Sequence, residues 1–156
     1  MNFGNVNNLA QLCTNFNNMK QLLQNINRVE FIETRYLNGI VLLSDHEVSL
    51  QYWRNFTELC LVGLASVEVS QNIENNSRLT TVKLNAHTTA DFNVDHRRLA
   101  WRVTTVDGNQ YLIGINEQPF PVTTVADNFP DKATERSGKT VTATWQTSLD
   151  LLKIMA

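Results

Sequence analysis

The stretch that decides the fold is Arg98-Leu-Ala-Trp-Arg-Val-Thr-Thr-Val-Asp-Gly-Asn-Gln-Tyr-Leu-Ile-Gly-Ile115. Two β-rich runs flank Asp107-Gly108, a pair that readily supplies the backbone angles of a tight hairpin turn. A two-residue turn there sets Val106 opposite Asn109, Val103 opposite Leu112 and Trp101 opposite Gly114. In that register Leu99, Trp101, Val103 and Leu112 share one face, and Arg102, Thr104, Tyr111 and Ile113 share the other.

The same period of two runs through most of the chain from Arg28 onward. In Val29–Leu43, Asn38-Gly39 joins two β-rich runs and predicts a type I′ hairpin. Further strands are expected at Val48–Trp53, Leu59–Val69, Leu79–Leu84 and Lys139–Thr147, with Gln71–Arg78 as a polar turn. Ser148–Ala156 reads as a short helix or a last strand. With no helical interlude long enough for parallel crossovers, the expected architecture is an antiparallel β-sandwich or barrel.

Two segments stand outside that pattern. Leu9, Leu12, Cys13, Phe16, Met19, Leu22, Leu23 and Ile26 recur at steps of three and four, which predicts an N-terminal amphipathic helix over 1–27 ahead of a β domain at 28–156. Such a stripe docks on its own sheet or on a neighbouring subunit. Residues 116–138 hold Pro119, Pro121 and Pro130 with Phe120 and Phe129, and read as a long loop of the kind that carries interactions.

Composition narrows function mainly by exclusion. At 156 residues the chain is long enough for one domain with a core that needs neither disulfide nor metal. A formal net charge of -2 offers no general attraction to nucleic acid or to anionic membranes. No run is long and apolar enough to span a bilayer, and no export signal opens the chain, so synthesis and retention in the cytoplasm, or in an assembly built there, are expected. Cys13 and Cys60 read as small buried hydrophobes rather than as a bridge.

Ala133–Thr140, Ala-Thr-Glu-Arg-Ser-Gly-Lys-Thr, fits a relaxed phosphate-binding loop. That chemistry needs a strand before the loop and a helix after it, so that backbone N–H groups converge on the phosphates. Here a Pro-containing polar segment precedes it and a Thr-rich alternating run follows, so no nucleotide site is expected. His87, Asp91 and His96 include good metal ligands but sit in polar turns without a helical spacing, and read as solvated. No catalytic residue, cofactor or metal is assigned.

The block Tyr111-Leu-Ile-Gly114, then Pro119-Phe-Pro121, a polar loop to Ser137-Gly138-Lys139 and a closing strand resembles small virion proteins encoded by Bacteroidetes phages and prophages. The resemblance covers about the last third of the chain. It implies a structural, non-enzymatic subunit in the head-to-tail (neck) or tail region, assembled as a ring of copies with neighbouring virion proteins, located in the virion and in host cytoplasm during assembly. On the residues themselves, contacts are expected at Leu12, Phe16 and Leu23 of the helix stripe and at Arg97, Arg98, Trp101, Phe120 and Phe129, since Arg and aromatic residues anchor interfaces. The alternative is a monomeric sandwich that binds a peptide or carbohydrate, with Trp53, Trp101 and Tyr111 as the platform.

Overall fold

The computed structural model describes residues 20–37, 39–50, 56–94, 97–128 and 138–155. These form eleven strands: β1 (Lys20–Glu33), β2 (Ile40–Leu42), β3 (Glu47–Leu50), β4 (Thr57–Leu59), β5 (Ala65–Glu74), β6 (Ser77–Thr88), β7 (Leu99–Thr105), β8 (Gln110–Ile113), β9 (Val122–Asn128), β10 (Gly138–Thr147) and β11 (Leu152–Met155). A short 3-10 turn, Thr34–Tyr36, follows β1. The chain is mainly β, as its period of two predicts.

All strands belong to one sheet, in the order β2-β3-β11-β8-β7-β1-β5-β6-β10-β9, with β4 added beside β1. The expectation of a purely antiparallel sheet needs one correction, because β11 runs parallel to β3. The expectation of a closed barrel needs another: the sheet is mixed and does not close. It rolls over itself instead, in a sandwich-like way. From β7 to β9 is five ladder steps, about 24 Å in a flat sheet at about 4.8 Å per step. Yet the Trp101 indole N–H of β7 donates to the Thr123 hydroxyl of β9 across 3.2 Å.

The roll encloses the main core, which takes Val29 from β1, Val67 from β5, Leu84 from β6, Trp101 and Val103 from β7, Val141 and Trp145 from β10 and Leu152 from β11. At about 25 cal/mol per Å² of apolar surface removed from water, these large side chains supply the dominant stabilisation. Phe31, Phe92 and Trp101 meet as a ring cluster with centroids 5.1 to 5.8 Å apart. On the opposite face of β1 and β7, Ile32 and Ala100 pack with Leu37 under Ile40 and Phe56.

On that same face, two residues along from Ile32 and Ala100, lies a buried ion pair. Arg102 donates through Nε to Glu30 Oε1 at 3.1 Å and through Nη2 to Oε2 at 2.6 Å, while its guanidinium stacks 4.1 Å from the Phe56 ring centroid. The two residues are direct cross-strand partners, so the paired geometry follows from the β1–β7 register.

Several local expectations change. Lys20 to Asn27 belong to β1, a central strand that runs without a break through the expected boundary at 27; the C-terminal part of the anticipated helix, Leu23 included, is therefore strand. Residues 1–19, with Leu12, Phe16 and Cys13, lie outside the described residues. Leu22 is exposed and Leu23 packs against the core, as strand alternation requires. An irregularity at Asn25, with φ of 63°, accommodates the register shift of β1 against β5 between Leu23 and Ile26, and a second shift, against β7, follows between Ile26 and Arg28.

The runs on either side of Asn38-Gly39 do not pair with each other, since β2 pairs with β3 and β1 pairs with β4, β5 and β7; Asn38 itself lies outside the described residues. The two-residue turn with both central φ values positive occurs at Asn75-Asn76, with φ of 50° and 62°, inside the β5–β6 hairpin where Glu74 faces Ser77. At Asp107-Gly108 the hairpin forms with a three-residue loop instead of two. Thr105 N–H donates to Asn109 O at 2.9 Å and Gly108 N–H to Thr105 O at 3.0 Å, with Gly108 at φ of 89°. Trp101 consequently faces Ile113 and Val103 faces Tyr111, one residue away from the two-residue register, which exchanges the faces of β8.

The Pro-containing segment is more ordered than its composition predicts, since Val122–Asn128 forms β9 against β10. Phe129 lies outside the described residues. The chain's last strand, β11, resolves the helix-or-strand choice for Ser148–Ala156. Cys60 is exposed, a correction to its reading as a buried hydrophobe.

Candidate functional site

The β1–β7 ladder sets Glu33 opposite Leu99, which brings the segment after β1 against the segment before β7. Thr34 N–H donates to Arg98 O at 2.8 Å and ties them. From the other side comes the connection between β8 and β9. Gly114, with φ of 102°, allows Pro121 to pack where any β-carbon would stand, 2.6 Å from the Pro121 Cγ. Both buried indoles hold this connection, Trp145 by donating to Pro119 O at 3.0 Å and Trp101 by donating to Thr123.

The result is a surface cleft of two adjoining hollows. One, of about 540 Å³, is lined by Glu33, Thr34, Arg35, Arg97, Arg98, Asn116 and Phe120. The other, of about 590 Å³, is lined by Asn93, Val94, Arg97, Arg98, Phe120, Pro121, Val122 and Thr123. Arg98 stands over Phe120, its guanidinium 4.7 Å from the ring centroid, and this stacked pair borders both hollows.

The cations in the cleft have different employment. Arg35 pairs with Glu33. Arg97 donates through Nε to Val94 O at 3.0 Å and through Nη2 to Asn93 O at 2.5 Å, so it braces its own loop. Arg98 is exposed and presents a cation backed by an aromatic face. The described lining holds one carboxylate, Glu33, and no thiol, histidine or lysine. That set suits recognition by contact, and it offers no nucleophile with an adjacent base.

The structure thus brings Arg97, Arg98 and Phe120 together and removes Trp101 from the list of contact residues. Trp101 is fully buried in the core, because its face of β7 is the inner one. The aromatic platform of the alternative reading is dispersed for the same reason: Trp101 is buried, Tyr111 is half-buried between Val103 and Lys153 as ladder partners, and Trp53 lies outside the described residues. Glu33, Thr34, Asn116 and Val94 enter the cleft without a sequence signal; Glu33 ends β1, and the other three lie between strands that the tertiary fold brings together.

The other singled-out residues have local partners. Lys139 opens β10 rather than a helix, and its ammonium meets Asp91 at 3.2 Å and Asp127 at 3.7 Å. His87 Nδ1 and Thr140 Oγ1 share a hydrogen bond of 3.1 Å, and His96 lies outside the described residues. Among the described residues no group of three or more His, Cys, Asp or Glu side chains is placed to hold a metal ion. Among them, too, no helix is long and apolar enough to cross a membrane.

The cleft adjoins one end of the sheet, since Val122 and Thr123 line it and begin β9. The two terminal strands of the sheet differ in length: β2 has three residues and β9 has seven. Within Val122–Asn128 there is no Lys or Pro, the residues that most often guard an exposed edge. Comparison of the chain with family models, with curated proteins and with solved structures finds no match in any of the three.

Proposed function

We propose that this protein is a non-enzymatic structural subunit that works by protein–protein contact, using the open β9 edge and the adjoining Arg98–Phe120 cleft. The observation that carries this reading is the unclosed sheet, which among the described residues ends on a seven-residue strand that holds no Lys or Pro and one charge, Asp127, already paired with Lys139. An unpaired edge of that length is a template for another strand unless something covers it. A cation stacked on an aromatic ring beside the edge adds the residue types that anchor interfaces.

The finer assignment, to the neck or tail region of a phage or prophage virion, is supported by the resemblance of Tyr111–Gly114, Pro119–Pro121 and the closing β10 strand. On that reading the partners are copies of the chain in a ring and neighbouring virion proteins, and the protein needs no cofactor. Light scattering over a concentration series tests assembly: a mass rising to multiples of 17.7 kDa supports it, and a constant monomer mass counts against self-assembly. Flanking genes for portal, tail-tube or terminase proteins support the virion assignment, and flanking metabolic genes contradict it.

A further inference from the structure

We infer that β9 pairs with β9 of a second copy of this chain, antiparallel about a twofold axis at Val125, and so continues the sheet from one protomer into the next. The inference rests on the contact-based reading above and supplies one self-contact; a twofold contact closes as a dimer, so a ring of copies needs a second, head-to-tail surface besides it.

The sequence of β9, Val122-Thr-Thr-Val-Ala-Asp-Asn128, is self-complementary in that register. Val125 meets its own copy, Thr124 meets Ala126, Thr123 meets Asp127 and Val122 meets Asn128. No two like charges stand opposite one another, which is the arrangement that most penalises edge pairing. The two faces also match. Val122, Thr124 and Ala126 are exposed on one side, whereas half-buried Thr123 and Val125 share the other side with the exposed Asp127; opposite residues in an antiparallel ladder point to the same side, so Thr124 meets Ala126 on the outer face and Val125 meets its own copy on the inner one.

Thr123 sharpens the match. Its hydroxyl oxygen accepts from the Trp101 indole at 3.2 Å, and a hydroxyl that accepts still has a proton to give. Across the twofold that proton is directed to the carboxylate of Asp127 of the second copy. Asp127 already lies 3.7 Å from Lys139 on the adjoining strand, its direct ladder partner, which holds the carboxylate on the shared face. An isologous contact of this kind uses all seven residues of β9, whereas pairing of β9 with the three-residue β2 of another copy leaves four without partners.

A charge-exchange pair of variants tests it. Thr124→Lys combined with Ala126→Lys places an ammonium at position 124 of each copy opposite an ammonium at position 126 of the other, and Thr124→Glu combined with Ala126→Glu gives the acidic counterpart. Both positions are exposed, so the fold is preserved, as circular dichroism checks. The expected result by native mass spectrometry is a dimer for the parent chain, at least a tenfold weaker dimer for each variant alone, and a heterodimer when the two variants are mixed. Three results overturn the inference: a parent chain that stays monomeric, a lysine variant that self-associates as well as the parent, or a mixture that does not recover pairing. The second and third, with an oligomeric parent, leave assembly by another surface standing; β9–β2 pairing gives the third.

Discussion

Trp101 on β7 and Thr123 on β9 are joined by a 3.2 Å hydrogen bond although their strands stand five ladder steps apart. That bond closes the roll of the sheet over its core and fixes the start of β9 beside the cleft. Thr123→Val keeps the volume but leaves the fully buried indole N–H without its acceptor, at a cost of about 1–3 kcal/mol. Thr123→Ser keeps the acceptor and should stay within about 1 kcal/mol of the parent. Urea unfolding monitored by tryptophan fluorescence separates the two.

The Glu30–Arg102 pair predicts a non-additive pair of substitutions. Arg102→Leu leaves the Glu30 carboxylate, whose side chain is 4% exposed, with the longer 3.5 Å contact to the half-exposed Arg28 Nε and removes the stack on Phe56; a loss toward the lower end of about 3–5 kcal/mol is expected. Glu30→Leu combined with Arg102→Leu removes both charges together and should recover much of that loss. A double-mutant cycle in denaturant measures the coupling.

Gly114 predicts a contrast with Gly108. Both have positive φ, but a β-carbon on Gly114 meets the Pro121 ring at 2.6 Å and Ala100 Cβ at 3.3 Å, whereas a β-carbon on Gly108 meets nothing within 4 Å. Gly108→Ala should cost about 1 kcal/mol from backbone strain alone. Gly114→Ala carries the steric conflict as well and should exceed about 2 kcal/mol while displacing the connection that forms the cleft. Thermal denaturation ranks the two variants.

The turn between β2 and β3 is tied to the start of β6 by Arg78, whose Nη2 donates to Asp45 Oδ2 at 2.7 Å, and within the turn His46 Nδ1 lies 2.8 Å from Asp45 Oδ1. The hydrogen bonds from His46 and then Arg78 lower the Asp45 carboxyl below its usual value, and the hydrogen bond to Asp45 raises the His46 imidazole. The raised imidazole stabilises the turn fully below its unfolded value of about 6.5 and loses that contribution as pH rises through the higher folded value. The lowered carboxyl contributes above its unfolded value of about 3.9 and loses that contribution as pH falls through the lower folded value. Protection of the turn from protease should therefore be greatest between about pH 4 and 6.5 and decline on either side. Asp45→Asn should flatten both limbs.

Much of the sheet is visible in the sequence because period-two alternation reports burial directly, as β10 shows: Val141, Ala143 and Trp145 are buried and Thr140, Thr142 and Thr144 are half-buried. Register is less visible. At Val106-Asp107-Gly108 one extra loop residue exchanges the faces of β8, and nothing local distinguishes the two loops. Asn38-Gly39 has stronger turn chemistry than Asn75-Asn76, yet the strands flanking it pair elsewhere, while the long antiparallel ladder of β5 with β6 carries the Asn75-Asn76 turn. β9 is hidden by its own position: an edge strand with one exposed face and one half-covered face need not alternate, and Val122 is left 64% exposed.

The candidate site was legible as residue types and not as a place. Arg97, Arg98 and Phe120 carry the interface chemistry in sequence, but only the β1–β7 ladder brings Glu33, Thr34 and Arg35 against them. Trp101 has the same residue-type signal as Arg98 and the opposite fate, because strand parity turns one side chain into the core and the other out of it.

Hydrogen exchange on the full chain at low and high protein concentration tests the central claim, that the subunit works by contact through its open edge. The amides of Val122–Asn128 should slow as concentration rises, while those of the enclosed strands β5 and β6 keep their rates. Exchange at β9 that is independent of concentration over the range in which the chain self-associates would contradict the account.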